Sequence, residues 1–244
     1  IYGAVKTVIL YYSAPLNIEC AEACKKKKHQ IIEDSINNSA RISSMLALAF
    51  VVGMIALSGE LLSLLHFDFF VANGDFDQGL FDLAQVLFIM IVIGQFAYGY
   101  SVLFGNALIG AEHARTAAIG FGITLVILVV ASPICIFLFD ILGVGIAMLI
   151  SCAFILPYMI IQLKRKLRIE LHFKIGRLIP NLIIMYLILA FFPIGGLLGL
   201  TLKLITVAIV YMILNPFFGV TVQEDIKVID DLLETIKLRP LATF

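Results

Sequence analysis

The chain has 244 residues, of which 61% are hydrophobic and only 14% are charged. In ordinary soluble domains about 25% of the residues are charged, because the surface must be solvated. The composition therefore excludes an ordinary soluble protein. The net charge of zero says little about partners, so the positions of the charges matter more.

Long uncharged runs predict membrane-spanning helices. A bilayer core about 30 Å thick needs roughly 20 apolar residues in helical form, and a helix satisfies its own backbone polar groups in lipid. The runs lack the alternation that is typical of barrel strands. We predict an all-α, polytopic transmembrane helix bundle, with six complete spans at residues 43–65, 81–103, 117–138, 141–162, 178–196 and 201–219.

The segments outside these spans complete the predicted organisation. Residues 1–12 are apolar but too short to cross a bilayer, and we interpret them as the end of a truncated transmembrane helix. Residues 13–42 are predicted to form a cytoplasmic loop. Residues 43–219 then hold the six-helix transmembrane region. In residues 220–244, apolar positions recur every three or four residues, which predicts a cytoplasmic amphipathic tail.

Small residues and prolines predict how the spans turn, pack and bend. Two runs with a single charged residue each are long enough for two helices. Asp140 with Gly143 marks the expected turn in one of them, and residues 193–199 mark the turn in the other. Pro133 and Pro157 lie inside spans and are expected to bend them. Close helix packing is predicted from four glycines of the second span and its end: Gly94, Gly99, Gly105 and Gly110.

Basic residues fall in alternate connections between the predicted spans. Residues 25–28 are all lysine, the third connection carries Arg115, and the fifth carries a basic cluster at residues 164–177. The connection at residues 66–80 has no Lys or Arg. Because cytoplasmic connections are enriched in Lys and Arg, this pattern predicts a cytoplasmic C-terminus.

Four stretches resemble parts of one transporter family. Residues 57–67 (LSGELLSLLHF) resemble a helix end, residues 103–113 (LFGNALIGAEH) a small-residue loop, and residues 140–147 (DILGVGIA) a helical hairpin of lipid-linked oligosaccharide flippases. Residues 13–15 with the charges after them resemble the loop that follows the family's eighth helix. The chain is thus similar to the C-terminal half of a polysaccharide flippase of the multidrug/oligosaccharidyl-lipid/polysaccharide (MOP) exporter superfamily.

The resemblance implies a fold, a function and partners. It implies a fourteen-helix, multi-pass protein of the cell membrane, in which this chain would supply helices eight to fourteen and a missing N-terminal half would supply the rest. The implied function is the flipping of a polyprenyl- or dolichol-linked oligosaccharide, for polysaccharide or glycan biosynthesis, by alternating access. Its expected partners are membrane lipids and the lipid-linked substrate. The alternative is a cation-coupled multidrug exporter of the same superfamily.

We expect no enzyme activity, no cofactor and no nucleic-acid partner. The sequence contains no nucleophile–base arrangement, no zinc-protease motif and no phosphate-binding P-loop. Cys20, Cys24 and His29 share the predicted cytoplasmic loop, but two thiols and one imidazole do not complete a closed metal site. Cys135 and Cys152 are expected to pack inertly within spans. We also expect this half to be unable to transport by itself, since alternating access needs two halves.

Three polar residues within apolar segments are candidate functional residues. A charge at the bilayer centre costs roughly 2.5–3.5 kcal/mol, so its presence needs a reason. By the resemblance, Lys6 lies on a cavity-lining helix and would meet a lipid phosphate, or else it reaches the membrane interface. Glu60 is either a coupling carboxylate or, as we favour, a helix-end acid with water access. Gln95 either binds a sugar or hydrogen-bonds another helix.

The charge pattern predicts that the basic connections and the C-terminus face the cytoplasm and that Gly74 faces outside. In intact cells, an impermeant thiol reagent should label a single cysteine at position 74 and should not label one at position 26. Labelling at position 26 without labelling at position 74 would overturn this orientation.

Overall fold

A computed structural model describes residues 3–66, 71–72, 75–171, 178–191, 199, 201–206 and 209–211. Most of these residues are helical, so the all-helical class is confirmed for them. A pair of two-residue strands, β1 (Val71–Ala72) and β2 (Asp75–Phe76), joins two of the helices. The helices are α1 (Gly3–Lys25), α2 (His29–Ala56), α3 (Ser58–His66), α4 (Gln78–Gly110), α5 (Ala114–Phe139), α6 (Leu142–Leu167) and α7 (Ile179–Phe191).

Four helices are long and apolar enough to cross a membrane, namely α2, α4, α5 and α6. They overlap the first four predicted spans, and the fold therefore suggests a membrane protein. We call the described residues 201–206 and 209–211 the last helical segment. This segment and α7 are also apolar, but they are shorter than the four long helices. The number of spans stays a prediction. Residues 193–198, 212–219 and the tail 220–244 lie outside the described residues.

The prediction that the first helix ends at Tyr12 is wrong. Helix α1 continues through Pro15 to Lys25, and α2 begins at His29, so residues 26–28 are the only non-helical part of the predicted loop at residues 13–42. A proline inside a helix costs about 3 kcal/mol. Burial offsets this cost, because apolar side chains on both arms of the hairpin are fully buried in one core: Leu16, Cys20, Ile32 and Ile36. Whether this hairpin lies in the cytoplasm stays a prediction.

The four glycines of α4 each face another helix at close range, which confirms the predicted packing. A Cβ atom at Gly99 would lie 2.6 Å from the Cδ1 atom of Ile9 in α1, a distance that real side chains do not adopt. A Cβ atom at Gly105 or Gly110 would also lie too close to a neighbouring helix, and at Gly94 the distance would be only slightly longer. The facing residues are Met148 of α6 for Gly94, Phe121 of α5 for Gly105, and Asn17 and Cys20 of α1 for Gly110.

Contacts along α4 also determine the directions of its neighbours. Helix α1 runs parallel to α4, because Gly99 meets Ile9 and Gly110 meets Cys20. Helix α6 is parallel to α4 as well, since the Cβ of Gly145 would lie 3.0 Å from Met90, and the Sγ of Cys152 lies 3.3 Å from the carbonyl oxygen of Gly94.

Helix α2 runs antiparallel to α4, with Tyr100 at one end of their contact and Gln85 at the other. The hydroxyl of Tyr100 donates to the Oγ of Ser44 at 2.6 Å, and the Nε2 of Gln85 donates to the Oγ of Ser58 at 2.9 Å, just after α2. The turns at residues 26–28, 111–113 and 168–170 therefore lie at one end of the bundle. They are next to the basic residues at 25–28, 115 and 164–168. The basic residues that occur in alternate connections of the sequence therefore lie at the same end of the bundle.

The predicted turn at Asp140 is confirmed and is very tight. Asp140 adopts a left-handed backbone with a φ of 52°. A Cβ atom on Gly143 would lie 2.2 Å from the backbone oxygen of Cys135. The hairpin between α5 and α6 therefore requires glycine at position 143.

We predict that Gly110→Ala destabilises the protein by about 1–3 kcal/mol, because the added methyl would overlap the backbone of α1. At Gly110 the Cβ would lie 2.4 Å from the carbonyl oxygen of Asn17, whereas at Gly122 nothing lies within 4 Å. Gly122→Ala is thus the matched control and should be neutral or stabilising by up to about 1 kcal/mol. Thermal unfolding in detergent measures both variants, and equal effects would contradict the assigned packing.

Candidate functional site

Lys6 is held on the ring of a tyrosine between α1 and α4. Its Nζ atom lies 4.8 Å from the ring centroid of Tyr98, which is within the range of a cation–π interaction. The close approach of α1 at Gly99 brings the two side chains together. No carboxylate among the described residues forms an ion pair with Lys6. The sequence did not identify Tyr98 as the partner of Lys6, because a cation–π contact leaves no sequence pattern.

Gln95 lies on α4 one turn before Tyr98, so the two side chains share a face of that helix. The Oε1 atom of Gln95 is buried and has no hydrogen-bond partner within the described part of the chain. A buried acceptor without a donor costs about 1–3 kcal/mol. Among the described residues, this oxygen therefore accepts no hydrogen bond from another helix, and the role of Gln95 stays a prediction.

Together these residues present one cation and one open acceptor among apolar helices. Val5, which precedes Lys6 in the sequence, and Val92, one turn before Gln95, are fully buried in one apolar cluster with Met54. An ammonium group attracts an anionic group such as a phosphate as a point charge. An amide oxygen accepts hydrogen bonds from donors such as sugar hydroxyls. The arrangement is thus suited to a ligand that carries both kinds of group.

Glu60 forms an ion pair with Lys203 of the last helical segment. The Nζ atom of Lys203 donates to the Oε1 atom of Glu60. Lys203 is only 5% exposed, whereas the side chain of Glu60 is 37% exposed. The sequence offered one indication of this pair, because Lys203 is the only charge between residues 178 and 223. A lone charge in such an apolar stretch needs a counter-ion.

The two polar sites are separate. Ser58, two residues before Glu60, hydrogen-bonds Gln85 of α4, whereas Lys6 contacts Tyr98 of the same helix. Thirteen residues of α4 separate position 85 from position 98, which corresponds to about 20 Å along a helix. The structure therefore brings Lys6 next to the face that carries Gln95, but it does not bring Glu60 to either of them.

The two cysteines of the α1–α2 hairpin differ in their exposure. No group of three or more His, Cys, Asp or Glu side chains that could hold a metal occurs within the described residues. Cys20 is fully buried and Cys24 is only partly buried. Burial, with smaller contributions from Glu19 and Cys24, raises the pKa of the Cys20 thiol to about 12.

Comparison with known proteins adds no family to this description. No protein-family model matches the chain, and neither a curated protein nor a solved structure matches it. The described residues form a helical protein with four helices that are long and apolar enough to cross a membrane.

We predict that Cys24 reacts with a maleimide at neutral pH much faster than Cys20. The thiolate is the reactive form, and the raised pKa of Cys20 leaves almost none of it until the pH approaches about 12. Mass spectrometry of the two single-cysteine variants measures the rates, and denaturation should make the rates similar. Equal rates in the folded protein would show that Cys20 is not buried.

Proposed function

We propose that this chain is part of a membrane transporter that moves a lipid-linked oligosaccharide across the cell membrane, and that Lys6 meets the phosphate of the lipid carrier. One observation carries the proposal: Lys6 is held on Tyr98 without an ion-pair partner among the described residues. Gln95, one turn before Tyr98 on the same helix, adds a buried oxygen without a hydrogen-bond partner in the described part of the chain. The flippase resemblance of residues 57–67, 103–113 and 140–147 supports the same function.

The chemistry of such a substrate matches the two groups of this site. Its phosphate is an anion, which the ammonium of Lys6 would attract, and its sugar hydroxyls are donors, which the Oε1 atom of Gln95 would accept. Its long apolar tail would remain in lipid. An ammonium that faces a polar ligand or water also avoids most of the cost of placing a charge in the membrane.

The helix directions support an orientation within the same proposal. The basic turns share one end of the bundle, and the turns at Asp77 and Asp140 share the other. We therefore place the basic end and the C-terminus in the cytoplasm, with six spans and one further helix in a multi-pass arrangement. In this arrangement α1 and α4 both run inward and Lys6 lies between them, away from both ends of α4.

The proposal predicts that Lys6→Ala abolishes glycan export while Lys6→Arg retains much of it. Arginine keeps the charge that would attract phosphate, and its guanidinium can also lie on the Tyr98 ring. Complementation of an export-deficient strain by the full-length protein measures the effect, with the amount of protein in the membrane quantified in parallel. Lys26→Ala is the matched control, because Lys26 is exposed and pairs only with Glu22, at 3.6 Å, among the described residues.

Normal export by Lys6→Ala at normal abundance would contradict the assigned role of Lys6. A loss of export by the Lys26→Ala control would instead indicate a general effect of removing positive charge. A third variant, Gln95→Leu, should weaken export less than Lys6→Ala, since it removes an acceptor of neutral groups and leaves the charge in place.

A further inference from the structure

We propose that Glu60 is a proton-binding site controlled by Lys203, in which separation of the last helical segment from α3 is coupled to protonation of the carboxylate. The proposal goes beyond the transport function and does not rest on it, because proton binding and helix separation can be measured without any substrate.

Only one of the two carboxylate oxygens of Glu60 is hydrogen-bonded within the described part of the chain. Its Oε1 atom accepts from Lys203, while its Oε2 atom is buried and has no hydrogen-bond partner among the described residues. Lys203 is therefore the one hydrogen-bond donor to the Glu60 carboxylate in the described part of the chain. If Lys203 moves away, the carboxylate loses this donor, and a proton is the ligand that neutralises it.

The two partners of the ion pair differ in their exposure. Lys203 is 5% exposed within an apolar segment, and an ammonium buried there without a partner is strongly unfavourable. The side chain of Glu60 is 37% exposed, so it lies at the edge of the interface, and movement of Lys203 would open its Oε1 atom to water. On protonation the carboxylate takes one proton from this water, and Lys203, still an ammonium, must leave the apolar interface to be hydrated.

The segment that carries Lys203 is attached in a way that permits such movement. It contacts α2 through Tyr211, whose hydroxyl donates to the carbonyl oxygen of Met45, and Tyr211 also packs in an apolar cluster with Leu57 and with Leu189 of α7. The ion pair adds a contact to α3, and its loss weakens the docking of the segment.

Few other ionisable groups lie on the neighbouring elements. The start of α4 carries Asp77, which caps the helix at Leu80, and Asp82, which accepts from Gln78. No charged residue occurs in α7 or in residues 42–57. Other titratable residues of the neighbouring elements include His66 at the end of α3 and the phenols Tyr186 of α7 and Tyr211 of the last helical segment.

The test measures the distance between α3 and the last helical segment as a function of pH. Leu64 and Leu204 are 46% and 50% exposed and can carry spin labels on introduced cysteines, after Cys20, Cys24, Cys135 and Cys152 have been replaced. Pulsed electron resonance on the intact protein in lipid nanodiscs gives the distance. It should increase when the pH is lowered from about 8 to about 4, because protonation removes the negative charge that holds Lys203.

Two variants test the assignment to this pair. Glu60→Gln imitates the protonated acid and should show the longer distance at every pH, whereas Asp82→Asn, the matched control on α4, should behave as the unaltered protein. A distance that is independent of pH in the unaltered protein would overturn the proposal and leave a static ion pair. A pH response that persists in Glu60→Gln would also overturn it.

A second measurement does not depend on the folding of Glu60→Gln. Hydrophobic carbodiimides modify carboxylic acids in their protonated form, so the modification of Glu60 should be several-fold faster in Lys203→Met than in the unaltered protein at neutral pH. Lys203→Arg should keep the slow rate, because it retains the charge. Equal rates in Lys203→Met and the unaltered protein would show that Lys203 does not control proton binding.

Discussion

The close approach of helices to the glycines of α4 is the constraint on which the rest of this structure depends. Apolar side chains give little driving force for association between helices in lipid, so van der Waals contact at short distance must supply it. Three neighbouring helices reach α4 at these glycines: α1 at Gly99 and Gly110, α6 at Gly94, and α5 at Gly105. The same contacts set the helix directions and bring Lys6 to Tyr98.

The two lysines in apolar segments are accommodated in different ways. Lys6 lies on an aromatic ring, a contact worth about 0.5–2 kcal/mol, and this leaves its charge available to a ligand. Lys203 is paired with Glu60, so its charge is neutralised within the protein. The first arrangement is suited to binding an anion, and the second is suited to responding to a proton.

The helical hairpin of α1 and α2 extends the core beyond Tyr12, where the first helix was predicted to end. Cys20 and Ile32 of this hairpin pack in the same buried cluster as Leu163 of α6 and Ile169, which follows it. Asn37 donates to the backbone oxygen of Glu170 at 3.0 Å, which attaches the hairpin to the end of α6. The basic end of the bundle is therefore a packed structure in which the lysines at residues 25–28 occupy the exposed tip.

The sequence by itself determined the helical class, the positions of α4, α5 and α6, the turn at Asp140 and the close packing at the α4 glycines. These features follow from local composition, because long uncharged runs form helices and glycine permits tight contacts. It could not predict that α1 continues through Pro15, because burial against distant helices offsets the local cost of proline.

It also left the partners of Lys6 and Glu60 undecided. Tyr98 lies 92 positions from Lys6, and Lys203 lies 143 positions from Glu60. Only the tertiary structure decided these pairs, because contacts at such separations depend on how whole helices pack and not on local sequence.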